Sequence, residues 1–289
     1  YEPAPAARTD IALVHEGNYI DRIERFCALG GGALDADTIA VPASWDAALR
    51  AAAGGMTAVE ALTAGDADVG FVAMRPPGHH ALEDRAMGFC LFNNVAITAR
   101  RLTAAGHKVA IVDWDVHHGN GTQRTFYDDP RVLYVSFHEF PAYPGTGWLD
   151  EVGRGEATGT TVNFPMPRGT QGAPYRWAMR WVVVPMLADF QPDWLLVSAG
   201  YDAHQADPLA DILLDESDYG VMAASLATVM PPQRTIYFLE GGYDLDALTG
   251  SVAATLRGSS GDAPEPPAVD ETGTSDAWRV IRHVAQQRA

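Results

Sequence analysis

Val109-Ala110-Ile111-Val112-Asp113-Trp114-Asp115-Val116-His117-His118 passes without a break from an apolar run into carboxylates and imidazoles. A short continuous apolar run is the pattern of a strand buried on both faces. Three other stretches repeat the design: Val72-Ala73-Met74-Arg75-Pro76-Pro77-Gly78-His79-His80, Leu195-Leu196-Val197-Ser198-Ala199-Gly200-Tyr201-Asp202 and Ile236-Tyr237-Phe238-Leu239-Glu240-Gly241-Gly242-Tyr243. In open α/β sheets ligands bind beyond the carboxyl ends of the strands, so four such strands deliver their polar ends to one crevice. The expectation is a metal-dependent enzyme.

Helical patterns separate the strands. A short strand is expected at 11–14, then a helix through Tyr19, Ile23 and Phe26. Ser44 is expected to cap an alanine-rich helix to Leu62, weakened by Gly54-Gly55, and Asn93 or Asn94 a helix carrying Val95, Ile97 and Leu102. Further strands are expected at 132–137, 162–164, 194–198 and 235–239, with helices at 122–127, 175–190, 216–229 and 244–256. Strands alternating with helices imply an α/β fold with a mainly parallel open sheet covered on both faces. One domain over 1–258 is expected, then a Gly/Ser/Pro-rich linker and a terminal helix at 277–287 within 259–289.

With 289 residues and 47% hydrophobic content the chain can bury a full core. A formal charge of −17 argues against nucleic acid as a partner and favours cationic substrates. Lys108 is the single lysine among 20 lysines and arginines, a bias without a functional account. Cys27 and Cys90 are too few for a disulfide framework and suggest a reducing compartment, taken as the cytoplasm. No apolar run approaches membrane-spanning length.

Asp115 and His117 stand two positions apart and so point the same way from an extended backbone. Asp202 would complete three ligands, with Asp207 as an alternative. Three ligands leave a catalytic zinc an open position, although oxygen and nitrogen ligation also suits iron or manganese. His79 and His80 follow Pro76-Pro77-Gly78, a rigid turn that sets where the imidazoles point. Adjacent imidazoles resist double protonation, which suits one of them to general base work. Asp113 and Asn120 are candidates for setting the two differently, and Tyr243 after Gly241-Gly242 is a candidate hydroxyl donor. Taken singly, each of these residues is more often structural. A second Asp-x-His, Asp202-Ala203-His204, raises a two-metal site, but the extra aspartates such a site needs are missing.

Together, Arg75-Pro76-Pro77-Gly78-His79-His80, Asp113-Trp114-Asp115-Val116-His117-His118-Gly119-Asn120-Gly121, Ser198-Ala199-Gly200-Tyr201-Asp202-Ala203 and Leu239-Glu240-Gly241-Gly242-Tyr243 resemble the signatures of the histone deacetylase and acetylpolyamine amidohydrolase family, closest to its class II and bacterial members. The resemblance runs from about Leu13 to Gly258. It implies a single-domain arginase/deacetylase fold and zinc-dependent removal of acetyl from Nε-acetyl-lysine by water attack. Zn2+, one per chain, would be held by Asp115, His117 and Asp202. His80 would act as base and then acid, with His79, held by Asp113, as its electrostatic partner, Asn120 orienting it and Tyr243 stabilising the oxyanion.

The same resemblance implies an acyl-lysine tunnel walled by Gly88, Phe89, Tyr143 and Leu209. It also implies a structural K+ on Asp113, Asp115, His117, Ser136 and Phe137, largely through main-chain oxygens. The substrate would be an acetylated lysine peptide or, as the alternative, an acetylated polyamine; a non-catalytic acyl-ligand binder is the reading from another class. The sequence lacks the family's His-Pro-Glu-Arg-Pro-like N-terminal loop; the expectation is either that this stretch was cut or disordered, or that the entrance is more open. His118, His138 and His204 are expected near the centre or on the surface, and Cys90 in the core.

Overall fold

The four apolar runs with polar ends pair with two further strands into one parallel sheet. The computed structural model of the protein describes residues 1–262 and 275–288. The chain opens with α1 (Arg8–Ile11), α2 (Gly17–Ala28), a small antiparallel ribbon β1 (Gly32–Ala33) and β2 (Ile39–Ala40), and α3 (Ser44–Ala64). There follow β3 (Gly70–Val72), α4 (Asn94–Ala104), β4 (Val109–Asp113), α5 (Asn120–Phe126), β5 (Val132–Glu139) and β6 (Thr161–Met166). The remainder is α6 (Gly172–Ala178), a π-turn (Met179–Val183), α7 (Val184–Phe190), β7 (Trp194–Ala199), α8 (Glu216–Ala227), β8 (Thr235–Leu239), α9 (Leu245–Ser259) and α10 (Asp276–Arg288).

The main sheet has the order β3-β8-β7-β4-β5-β6, and every neighbouring pair is parallel. From β4 the chain moves outward through β5 to β6, then returns to the other side of β4 with β7 and β8. Strand order therefore reverses between β4 and β7, and a crevice opens at such a switch point. The alternation along β4 shows why both faces are covered. Val109 and Ile111 pack with Val59, Leu62 and Ala99 from α3 and α4. Ala110 and Val112 pack with Leu187, Met222 and Leu226 on the opposite face. Helix α10 belongs to that second core through Trp278, Ile281 and Val284, with Trp278 edge-on to Trp177 at 5.7 Å.

The structure differs from the sequence reading at several ends. Residues 11–14 are not a strand: Ile11 closes the single turn of α1 and is buried. His15 just beyond it pairs with Leu82 O at 2.9 Å and accepts the Asn93 N–H at 2.9 Å, so this segment docks beside the sheet and does not join it. Ser44 is not a cap either. It is already helical, and its hydroxyl accepts the N–H of Val41. Asn93 is the cap of α4, accepting from Ala96 N, while Asn94 donates to Pro76 O. The helix expected at 175–190 starts at Gly172 and passes through the π-turn. Part of the expected linker, 258–262, is the end of α9 and the turn after it; 263–267 lies outside the described residues. Among the described residues no helix is long and apolar enough to cross a membrane.

Candidate active site

Asp115 and His117 leave the end of β4, and Asp202 leaves the end of β7, the two strands that flank the switch point. One ligand atom from each lies within 4.8 Å of the others, the one such grouping found among the described residues. His117 Nδ1 sits 3.2 Å from Asp115 Oδ1 and 3.1 Å from Asp202 Oδ2. Backbone donors aim both carboxylates. Asp115 accepts the N–H of His117 at 2.9 Å and of Gly241 at 2.8 Å, and Asp202 that of Val116 at 2.9 Å. A Cβ at Gly200 would collide with the Asp115 carboxylate, and one at Gly241 with that of Asp202, so glycine at both strand ends makes room for the pair.

Burial works against a charged His117, yet Asp115 and Asp202 raise it to about 11. Burial and the charge of Asp115 push Asp202 up to about 6. Burial would raise Asp115 as well, but His79 and His117 hold it below the usual carboxylate range. Two buried carboxylates thus share one imidazole proton, and a cation can take the place of that proton. The donor set of two carboxylates and one imidazole fits a single small divalent ion with three protein ligands.

His79 and His80 lie in the loop after β3, their ring centroids 4.0 Å apart. Their partners differ. His79 Nδ1 faces Asp113 Oδ2 at 3.1 Å, and Tyr134 donates to that same oxygen at 3.1 Å. His80 Nδ1 faces Asn120 Oδ1 at 2.8 Å. Burial disfavours charge on His79, but Asp115, Asp113 and Glu240 together raise it to about 10. Burial and then the neighbouring His79 charge hold His80 well below the ordinary 6.5. The two imidazoles are thus shifted in opposite directions, His79 upward by the carboxylates around it and His80 downward by burial and by the charge of His79.

A cavity of about 260 Å³ opens over these groups, lined by His79, His80, Asp115, His117, Gly241 and Tyr243. Gly88, Phe89, Tyr143 and Leu209 also line it, with Phe89 37%, Tyr143 40% and Leu209 51% exposed at the rim. Phe89 lies edge-on to Tyr243 at 6.0 Å and Tyr143 edge-on to His80 at 5.1 Å, so aromatic surface frames the entry. Burial and the carboxylates Asp202 and Asp115 raise Tyr243, which keeps its proton and stays a donor. Asp113 and Ser136 are register partners on β4 and β5, and Ser136 Oγ pairs with His138 Nδ1 at 2.9 Å.

Two residues here had no role in the sequence reading. Glu240, buried at the end of β8, accepts the N–H groups of Gly78 at 2.7 Å and His79 at 3.2 Å and the hydroxyl of Ser198 at 3.0 Å. It thereby ties the imidazole loop to the neighbouring strands; a carboxylate ending an apolar strand was its signal. Asp37 lines the cavity from the loop between β1 and β2, a loop too irregular to read from sequence. Asp207 is not in the metal-competent group; its two oxygens accept the backbone N–H groups of Leu209 and Tyr243. His118, His138 and His204 are all buried, so none of them is a surface residue. Cys27 and Cys90 are buried free thiols.

A family profile described as "Histone deacetylase domain" matches residues 1–259. A "Probable deacetylase" of Methanothermobacter thermautotrophicus is 42% identical over 97% of this chain and 85% of its own length. "Histone deacetylase 10, chloroplastic" of Oryza sativa is 39% identical over 89% of this chain and 62% of its own. Among solved structures, the HDA15 HD domain superposes with a TM-score of 0.90 at 34% identity, covering 99% of this chain and 81% of that one. Fold, motif order and sequence agree along the whole catalytic region, and the chain belongs to the histone deacetylase family.

Proposed function

We propose that this hydrolase of the deacetylase family removes acetyl from Nε-acetyl-lysine with zinc held by Asp115, His117 and Asp202. The observation that carries the reading is the pair of adjacent imidazoles, one facing Asp113 and the other Asn120, beside that ligand group on one cavity with Tyr243. When bound, the ion supplies Lewis acidity to the acyl carbonyl and to the attacking water.

The protein's own groups do the rest. Asn120 accepts the Nδ1 proton of His80, which leaves Nε2 as the basic nitrogen. His80 takes a proton from water as the new C–O bond forms, then returns it to the amine as the C–N bond breaks. His79 keeps its charge throughout, its Nδ1–H directed at Asp113. Tyr243 donates to the oxyanion, a contact worth 10² to 10³ in turnover when one donor is lost. Phe89, Tyr143 and Leu209 offer apolar area to a methylene chain that has no polar group to recognise.

Acetate release from an acetyl-lysine peptide, by zinc-loaded and by chelated protein, tests the activity. Tyr243→Phe should lose about 10²-fold or more in kcat with zinc content unchanged; unaltered kcat removes the assigned role. An acetylated polyamine is the second reading, favoured by Asp37 on the cavity wall, and the two substrates compared at equal concentration decide between them. A K+ on main-chain oxygens of Asp113, Asp115, His117 and Phe137 with Ser136 is part of the proposal, supported by the adjacency of Asp113 and Ser136. So is a cytoplasmic location, supported by the two buried free thiols.

A further inference from the structure

Asp207 follows Asp202 in the loop between β7 and α8, near enough in sequence to compete for the metal. Its carboxylate is committed elsewhere. One oxygen accepts the backbone N–H of Tyr243 at 2.7 Å, and the other accepts the backbone N–H of Leu209 at 3.0 Å. The residue is only 7% exposed, and its own N–H donates to His204 O at 2.8 Å, which fastens it to its loop.

Tyr243 needs such an anchor. Gly241 and Gly242 precede it, with Gly242 at φ +128°, a conformation that glycine adopts and other residues rarely do. A glycine pair has more backbone freedom to lose than any other dipeptide and does little by itself to hold the residue after it. A hydroxyl that stabilises an oxyanion must be placed within fractions of an ångström, and a 1 Å misplacement costs about 10²-fold. Leu209, held by the other oxygen, is part of the cavity wall. One buried carboxylate therefore spans the wall of the substrate tunnel and the backbone of the hydroxyl donor.

We propose that Asp207 is a positioning residue that couples the tunnel wall at Leu209 to the placement of the Tyr243 hydroxyl. The inference rests on the role given to Tyr243 above. It assigns Asp207 an effect on kcat, exerted through Tyr243, and no part in holding metal or in proton transfer.

The test is a double-mutant cycle on an acetyl-lysine peptide, with kcat, KM and zinc content measured for Asp207→Ala, Asp207→Asn, Tyr243→Phe and the combined variants. Asp207→Ala should lower kcat by about 10- to 100-fold with zinc retained. Asp207→Asn should lose less, because its amide oxygen still accepts one N–H. In the Tyr243→Phe background either change should cost less than about threefold more, since partners acting as a unit are non-additive. Losses that simply multiply, or full kcat in Asp207→Ala, overturn the coupling. If Asp207→Ala does not fold, Asp207→Asn in both backgrounds carries the same comparison. Normal turnover by Tyr243→Phe would instead bring down the reading of the site, whereas a crippled Tyr243→Phe beside additive Asp207 variants sinks this inference alone.

Discussion

His79 and His80 are sequence neighbours with rings 4.0 Å apart, yet Asp115, Asp113 and Glu240 raise the first while burial and the charge of His79 lower the second. In its proposed role His80 works as a base when neutral, so kcat/KM should rise as pH climbs through its pKa, and the depressed pKa should put that acid limb below 6.5. A bound cation pushes the same way. Asn120→Asp places a carboxylate on Nδ1, favours the imidazolium and moves the limb upward. A pH–rate profile checks this, and an unmoved limb separates Asn120 from the titration. His117 allows a second check. Raised to about 11 without metal, it gives up its proton when an ion binds, so zinc uptake at pH 8 should release about one proton. Calorimetry in buffers of different ionisation enthalpy counts it.

At the scale of elements, α3 shows how packing overrules helix propensity. Gly54-Gly55 reads as a weak point in an alanine-rich helix, where each glycine costs ~1 kcal/mol relative to alanine. Both residues are buried. A Cβ on Gly55 would strike the Thr98 hydroxyl of α4 and the Phe238 ring of β8, and one on Gly54 would meet Val72 of β3. The glycines let the helix lie close on the sheet. Gly55→Ala should therefore destabilise by roughly 1–3 kcal/mol despite its better propensity, as overpacked cores do. Urea unfolding measures it, and a gain in stability would show that α3 can shift outward at no cost. The same contrast explains residues 11–14, where Ile11 and Val14 pack against α2 and α3 while Ala12 and Leu13 are exposed.

The whole molecule is a sheet with two covered faces, and α10 is part of the cover although the family profile ends at residue 259. Burying Trp278, Ile281 and Val284 contributes about 1.5–3 kcal/mol each. Removal of residues 260–289 should lower the melting temperature by about 10 °C or more and expose the apolar surface around Trp177. Dye binding and a thermal scan read both effects, and an unchanged melting temperature would make α10 dispensable. The site lies at the carboxyl ends of β4 and β7, where the strand order reverses and two parallel strands bring their ends together.

Much of this was legible in the sequence. Apolar runs ending in Asp, His, Glu-Gly-Gly-Tyr and Asp mark strands whose tips carry chemistry, because a buried strand must be apolar and only its end meets solvent. Local pattern thus determined the α/β class, the order of the strands along the chain and the residues at their tips. Strand order in the sheet, and with it the meeting of Asp115, His117 and Asp202, was decided by tertiary structure alone. So were the partners that set each group: Asp113 against Asn120, Glu240 under the imidazole loop, and Asp207 on Tyr243 instead of on metal. A carboxylate looks the same in sequence whether it meets a cation or a backbone N–H. Which of these it meets depends on the elements folded against it, often from distant parts of the chain.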